Sequence, residues 1–267
     1  MNAGRIFAIM LRQFYLIRGS VSRVVPIFAW VVIDIILWGF LTKYLNEVAG
    51  GGFNFVSTLL GAVLFWDFFI RVMHGVTMAF FEDVWSRNFL NFFATPLSIS
   101  EYLAGLVISS IATSSVALLV MLAMATAFFG FSFFAYGLLL IPFLFVLFLF
   151  GISMGIFASA LVLRLGPAAE WFVWPVPAFI SPFAGVLYPL STLPQWMQYV
   201  SYLLPPAYVF EGMRAFVFGK PASASGLLWG TLLAVLYILL ASWFFTRTYR
   251  HAVRTGLIAR YSAESVT

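Results

Sequence analysis

The sequence predicts an all-α polytopic membrane protein of six transmembrane helices, with an N-terminal amphipathic interface helix and a re-entrant helical hairpin between spans five and six. Three observations predict it. Hydrophobic residues make up 63% of the 267 residues and charged residues only 9%, against about a quarter in soluble domains, so lipid must solvate most of the surface. Apolar runs recur at the roughly twenty residues that a helix needs to cross a bilayer. Basic residues gather beside those runs, as topology signals rather than as a nucleic-acid footprint.

Residues 1–23 form the predicted interface helix. Ile6, Phe7, Met10, Phe14 and Ile17 recur at spacings of three and four, interspersed with Arg5, Arg12 and Arg18. The run that follows is too long for a signal-peptide core and carries no small-x-small cleavage site, so the N-terminus reads as uncleaved. The transmembrane domain is expected over residues 24–246. Its spans run from about Val24 to Leu41 (interrupted by Asp34), Phe55 to Phe81, Leu103 to Phe129, Gly137 to Leu163, Trp171 to Leu190 and Gly226 to Phe245. The fifth holds Pro175, Pro177, Pro182 and Pro189. Each proline removes a backbone donor, so that span is predicted to be bent or broken. A basic tail over residues 247–267 carries Arg247, Arg250, His251, Arg254 and Arg260.

Loop charges orient the chain. With both termini inside, Arg5, Arg12, Arg18, Arg23, Arg87, Arg164, Arg247, Arg250, Arg254 and Arg260 are cytoplasmic. Lys43, Arg214 and Lys220 then lie outside, and Arg71 lies within a span. That asymmetry follows the positive-inside rule.

Residues 191–221 are too apolar for an ordinary loop. Thr192 is expected to cap a short helix whose first turn holds Pro194, with Trp196, Met197 and Tyr199 following. Pro205-Pro206 then breaks the chain, and a second short helix runs from about Ala207 to Phe218, stopped by Gly219 and Pro221. Neither piece is long enough to cross. The pair therefore reads as a re-entrant hairpin buried against protein on the outer side.

Chemistry-bearing residues are few. Cysteine is absent, His74 and His251 are far apart, and no metal-ligand spacing occurs. The run Gly50-Gly51-Gly52 lacks the Gly-Lys-Ser/Thr of a phosphate loop, so the chain has no ATP site of the usual kind. Asp67, Arg71 and His74 share one helical stripe in the second span. Ionisable residues at that depth mark either a substrate path or a pair that locks helices together. Between spans two and three, Ser98 and Glu101 have capping-box spacing. The aromatics Trp174, Phe179 and Phe183 lie with Trp171, Phe172 and Tyr188 on the kinked span; they fit lipid-facing belts and packing, or a surface on which sugars stack.

Two ordered motifs carry a resemblance. Residues 82–101 read Glu82, Asp83, Leu90, Thr95-Pro96-Leu97, Ser98 and Glu101. After the fifth span come Pro189, Leu193-Pro194, Trp196, Pro205-Pro206, Glu211 and Arg214. With the six-span layout, these resemble the membrane subunits of type-2 ABC exporters over nearly the whole chain. The family's usual Glu-x-Gly-Thr run is replaced here by Trp85-Ser86-Arg87-Asn88.

The resemblance implies a half-transporter working as a dimer with a second, identical copy of itself, a homodimer, in a bacterial-type inner membrane. A separate ABC ATPase would bind ATP and magnesium, so this chain would hold no cofactor of its own. It would dock on residues 82–101, through Glu82, Asp83, Arg87, Thr95 and Pro96, and on the turn at Arg164–Glu170. Pro194, Trp196, Pro205, Glu211 and Arg214 would belong to an outer gate. The cargo would be amphipathic, a lipid-linked polysaccharide or other glycolipid ahead of a hydrophobic drug. Two other classes stay open: an ion-coupled transporter or channel using Asp67, Arg71 and His74, and a membrane-embedded lipid-modifying enzyme, for which no convergent acid–base set is visible.

Overall fold

The computed structural model describes residues 1–48, 56–86, 91–92, 94–131, 138–166 and 169–256, and every regular element among them is helical. In chain order these are α1 (Ala3–Arg18), α2 (Val21–Val48), α3 (Gly61–Trp85, entered through a π-helical turn at Val56–Leu60) and α4 (Ile99–Phe129). They continue with α5 (Leu140–Leu165), α6 (Glu170–Val173), α7 (Val176–Ala184), a 3₁₀ turn at Leu190–Thr192, α8 (Gln195–Ser201), α9 (Pro205–Val217) and α10 (Ala224–Thr255).

Five helices are long and apolar enough to cross a bilayer: Val21–Val48, Thr58–Trp85, Ile99–Phe129, Leu140–Leu165 and Ala224–Thr255. The shortest, of 26 residues, is about 39 Å long at 1.5 Å per residue, more than the roughly 30 Å of hydrocarbon. Most run past the expected bounds. α2 continues to Val48 because Lys43 and Glu47 are good helix formers and sit exposed. α10 absorbs Arg247, Arg250 and Arg254 of the expected tail; the Arg247 guanidinium lies 5.5 Å over the Trp243 ring.

The proline-rich stretch is broken, as its sequence predicts. α6 and α7 have only four and nine residues, separated by a turn at Trp174-Pro175, and Gly185 ends α7 in the left-handed region at φ +68°. Neither piece can span alone.

Two sequence-derived details are corrected. Thr192 does not cap α8: its hydroxyl donates to the Pro189 carbonyl at 2.7 Å inside the 3₁₀ turn, and Pro194 occupies the cap position. Pro205 and Pro206 do not break the chain before a helix at Ala207; they are the first turn of α9, where their missing N–H groups cost nothing and their fixed φ is already helical.

α3 is the centre of the bundle, packed between α4 and α5, and α10 covers the far side of α5. Small residues let the backbones approach. A Cβ on Gly155 of α5 would lie 2.8 Å from the Met73 carbonyl oxygen of α3, and one on Gly151 would lie 2.9 Å from Val72 Cβ. On the other flank Ser110 of α4 donates to the Val72 carbonyl at 2.9 Å and fills the space above Gly75. This is the small-residue packing expected where lipid offers no hydrophobic drive to helix association. Phenylalanines fill the rest: Phe69 stacks on Phe150 at 5.3 Å, and Phe80 meets Phe245 edge-on at 5.8 Å.

The Phe80–Phe245 contact places the C-terminal ends of α3 and α10 together. α1 lies at the same end, along the start of α4, where Gly105 admits Ile9 and the Ile6 backbone. The N-terminal helix and the C-terminal end of α10 therefore belong to one end of the bundle, and α7 to α9 to the other.

Candidate functional site

At the end of the bundle that holds α1, three arginines of the N-terminal region hold three carboxylates of residues 82–101. Arg12 donates to Asp83 at 2.5 Å, Arg5 to Glu101 at 3.4 Å, and Arg23 pairs with Glu82. Asp83 has no exposed surface and also accepts from the buried Tyr102 hydroxyl at 2.7 Å. Glu101 accepts the Asn2 backbone N–H at 2.6 Å and closes the capping box with Ser98. One carboxylate thus fixes the start of α1 and the start of α4 together. The Arg12 guanidinium also lies 4.8 Å over the Phe92 ring.

This arrangement changes the reading of the acidic pair. Asp83 cannot present its carboxylate to a docking partner, because it is turned inward onto Arg12 and Tyr102. Glu82 is half-buried on Arg23. What this end does expose is Trp85, Ser86, Ala94, Thr95 and Pro96, with Thr95 donating to the Phe92 carbonyl at 2.5 Å. Arg87 lies outside the described residues. Arg164 is exposed at the last turn of α5.

The sequence reading missed the clasp because its pairs join residues 59 to 96 positions apart. The signal was present as an arginine-bearing helix and an acidic segment on the same side of the membrane. The N-terminal helix α1 packs on α4 through a mixed face. Ile9 and Gln13 are buried, whereas Phe7 is 59% and Phe14 is 55% exposed. Arg5 and Arg12 turn toward protein through their ion pairs, and Phe7, Phe14 and Tyr15 face outward.

At mid-height, Asp67 and Arg71 form the expected i,i+4 pair, with Arg71 Nε donating to Asp67 Oδ2 at 2.6 Å. His74 continues the stripe with its ring 4.7 Å from Trp174, and among the described residues its buried Nε2 has no hydrogen-bond partner. Asp34 of α2 lies within Coulomb reach of both Asp67 and Arg71, a neighbour that spacing within one helix could not reveal. Trp174 therefore joins the stripe. Phe179 does not; it is 72% exposed, and Phe183 instead meets Trp196 edge-on at 6.3 Å.

At the opposite end Glu211 and Arg214 pair at 3.0 Å and reach back to the chain before them. Arg214 donates to the Gly185 carbonyl at 2.5 Å and the Val186 carbonyl at 3.5 Å, while Glu211 accepts the Leu190 N–H at 2.8 Å. The pair ties α9 to the glycine turn after α7. Pro205 is buried with it, but Pro194 and Trp196 are exposed on α8.

Among the described residues no group of histidine, cysteine, aspartate and glutamate side chains is arranged to hold a metal ion. No curated protein matches the sequence significantly. A family model described as ABC-2 type transporter matches residues 5–218, which takes in the clasp, the mid-height stripe and the Glu211–Arg214 tie. On a match of that extent, the chain belongs to the ABC-2 type transporter family, the membrane permease component of ABC transporters whose ATPase is a separate subunit.

Proposed function

We propose that this chain is half of an ATP-driven exporter: two copies form the pathway, and partner ATPases drive it from the end that holds α1. That end is cytoplasmic, in an inner membrane, by the distribution of arginines. α6 and α7 with their intervening turn make the sixth crossing, and α8 and α9 enter the outer leaflet without traversing it. The cargo is amphipathic, a lipid-linked glycan or a hydrophobic drug.

The observation that carries the reading is the clasp. An ATPase pushing on the exposed edge around Trp85, Thr95 and Pro96 would move α3, α4 and α1 as one body, because Asp83 and Glu101 are anchored to α1 as well as to their own helices. Rigid transmission of that kind is what rocking between inward-open and outward-open states requires. Glu82 and Asp83 serve as internal anchors, and the docking contact falls on their exposed neighbours.

The test is reconstitution with the ATPase partner in nanodiscs. Thr95→Trp should lower substrate-stimulated ATP turnover at least about tenfold, the loss of about 1.4 kcal/mol, with the melting temperature unchanged. Full coupling in that variant would remove the docking edge from the account. The ion-coupled alternative would show transport without any ATPase, driven by a proton gradient.

A further inference from the structure

We infer that the mid-height stripe is a binding site for the positively charged head of an amphipathic cation, a quaternary ammonium or phosphonium group. This rests on the exporter reading above and names the cargo class for it. Asp34 is the residue at the centre of the site. It sits near the middle of α2, a 28-residue spanning helix, and so near the midplane of the bilayer. Among the described residues it forms no hydrogen bond or ion pair, and it is only half-buried.

A carboxylate at that depth is costly unless something cationic or aqueous meets it. Arg71 is not free to do so alone, since its Nε is bonded to Asp67. Two aspartates and one arginine at this level leave one formal negative charge.

The surroundings say what kind of cation fits. Trp30 and Trp38 stand four residues before and after Asp34, on the same stripe of α2. Trp30 is exposed and Trp38 is partly buried against the core. On α3, Trp66 precedes Asp67 with its ring against Phe69 and Phe210, and the Trp174 ring lies 4.7 Å from that of His74. Indole faces attract cations, and best those whose charge is spread and weakly hydrated. A carboxylate between two indoles suits an alkylated cation rather than a hydrated metal ion, for which the described residues offer no ligand set. The pair Asp67–Arg71 then serves to position the excess charge on Asp34 instead of binding cargo itself.

The test uses two probes of nearly equal size and opposite charge, tetraphenylphosphonium and tetraphenylborate, with the full-length chain in nanodiscs and no ATPase. Saturable binding of tetraphenylphosphonium, weakened about tenfold or more in Asp34→Asn and kept within about twofold in Asp34→Glu, is expected for a site read by charge and aromatic faces. Trp38→Leu should weaken it several-fold. Tetraphenylborate should show no saturable site. Equal affinity of Asp34→Asn and the parent for tetraphenylphosphonium, absent binding to the parent, or equal binding of the two probes would each overturn the site. Should Asp34→Asn fail to fold, the Trp38→Leu comparison and the probe pair decide. Because no ATPase takes part, failure here leaves the exporter reading standing, and failure to capture an ATPase leaves this site standing.

Discussion

Replacing Arg12 by alanine removes the basic partner of a carboxylate whose side chain is only 1% exposed. The magnitude follows from the geometry. With Arg12 Nη2 at 2.5 Å from Asp83 Oδ1 and charge centres about 4 Å apart, the Coulomb term is about 4 kcal/mol at an effective dielectric near 20. Arg12 is itself a quarter exposed, so water screens part of that attraction, and Tyr102 still donates to the stranded charge. Breaking a buried pair by removing one partner costs about 3–5 kcal/mol; with these two discounts about 2–3 kcal/mol remains. Asp83→Asn keeps the shape and the Tyr102 contact, and leaves an arginine that water can reach, so it should cost about 1–2 kcal/mol. The double variant should cost less than the sum, by a coupling of about 1–2 kcal/mol. The assay is thermal unfolding of the purified chain in nanodiscs, read by intrinsic tryptophan fluorescence. Arg12→Ala should melt roughly 5–10 °C lower, on the scaling for chains of this size. Additive effects in the double variant, or an unchanged melting temperature in Arg12→Ala, would refute the claim that the pair binds α1 to α3.

Gly155→Leu should abolish folding, because its Cβ meets the Met73 carbonyl at 2.8 Å and the backbone cannot yield. Gly219→Ala, at φ +71° with nothing within 4 Å, should cost only about 1–2 kcal/mol; expression and melting temperature compare the two. The absence of cysteine allows single-cysteine labelling. Leu187→Cys should react faster with a membrane-impermeant maleimide in an Arg214→Ala background, since the carbonyls of Gly185 and Val186 lose their donor. In intact cells Tyr199→Cys should label from outside, whereas Thr255→Cys should label only after permeabilisation; the reverse would invert the topology.

The helical architecture was legible because lipid imposes a length and an apolar composition that few sequences satisfy by chance. Local punctuation was legible too. Ser98 and Glu101 form the box that their spacing implies, and Gly219 stops α9 in the left-handed region. The prolines announced the broken stretch but not its form: Pro205 and Pro206 open a helix, and Pro182 sits inside α7. Proline fixes φ without saying which side of it is helical. Contacts between distant segments were not legible. Asp83 and Glu82 look from sequence like surface charge, and only folding puts Arg12 and Arg23 against them. Asp34 looked like an interruption of an apolar run until the fold brought Asp67 and Arg71 within Coulomb reach of it. Such contacts have no period along the chain.

The claim at the centre of the account is that the exposed edge beside the clasp receives an ATPase. A photo-crosslinking amino acid placed at Thr95, and in a control at Tyr199 on the opposite end, tests it in native membranes. The account predicts that a nucleotide-binding subunit is captured from Thr95 and not from Tyr199. Capture from Tyr199, or none from Thr95 in cells that carry out transport, would contradict it.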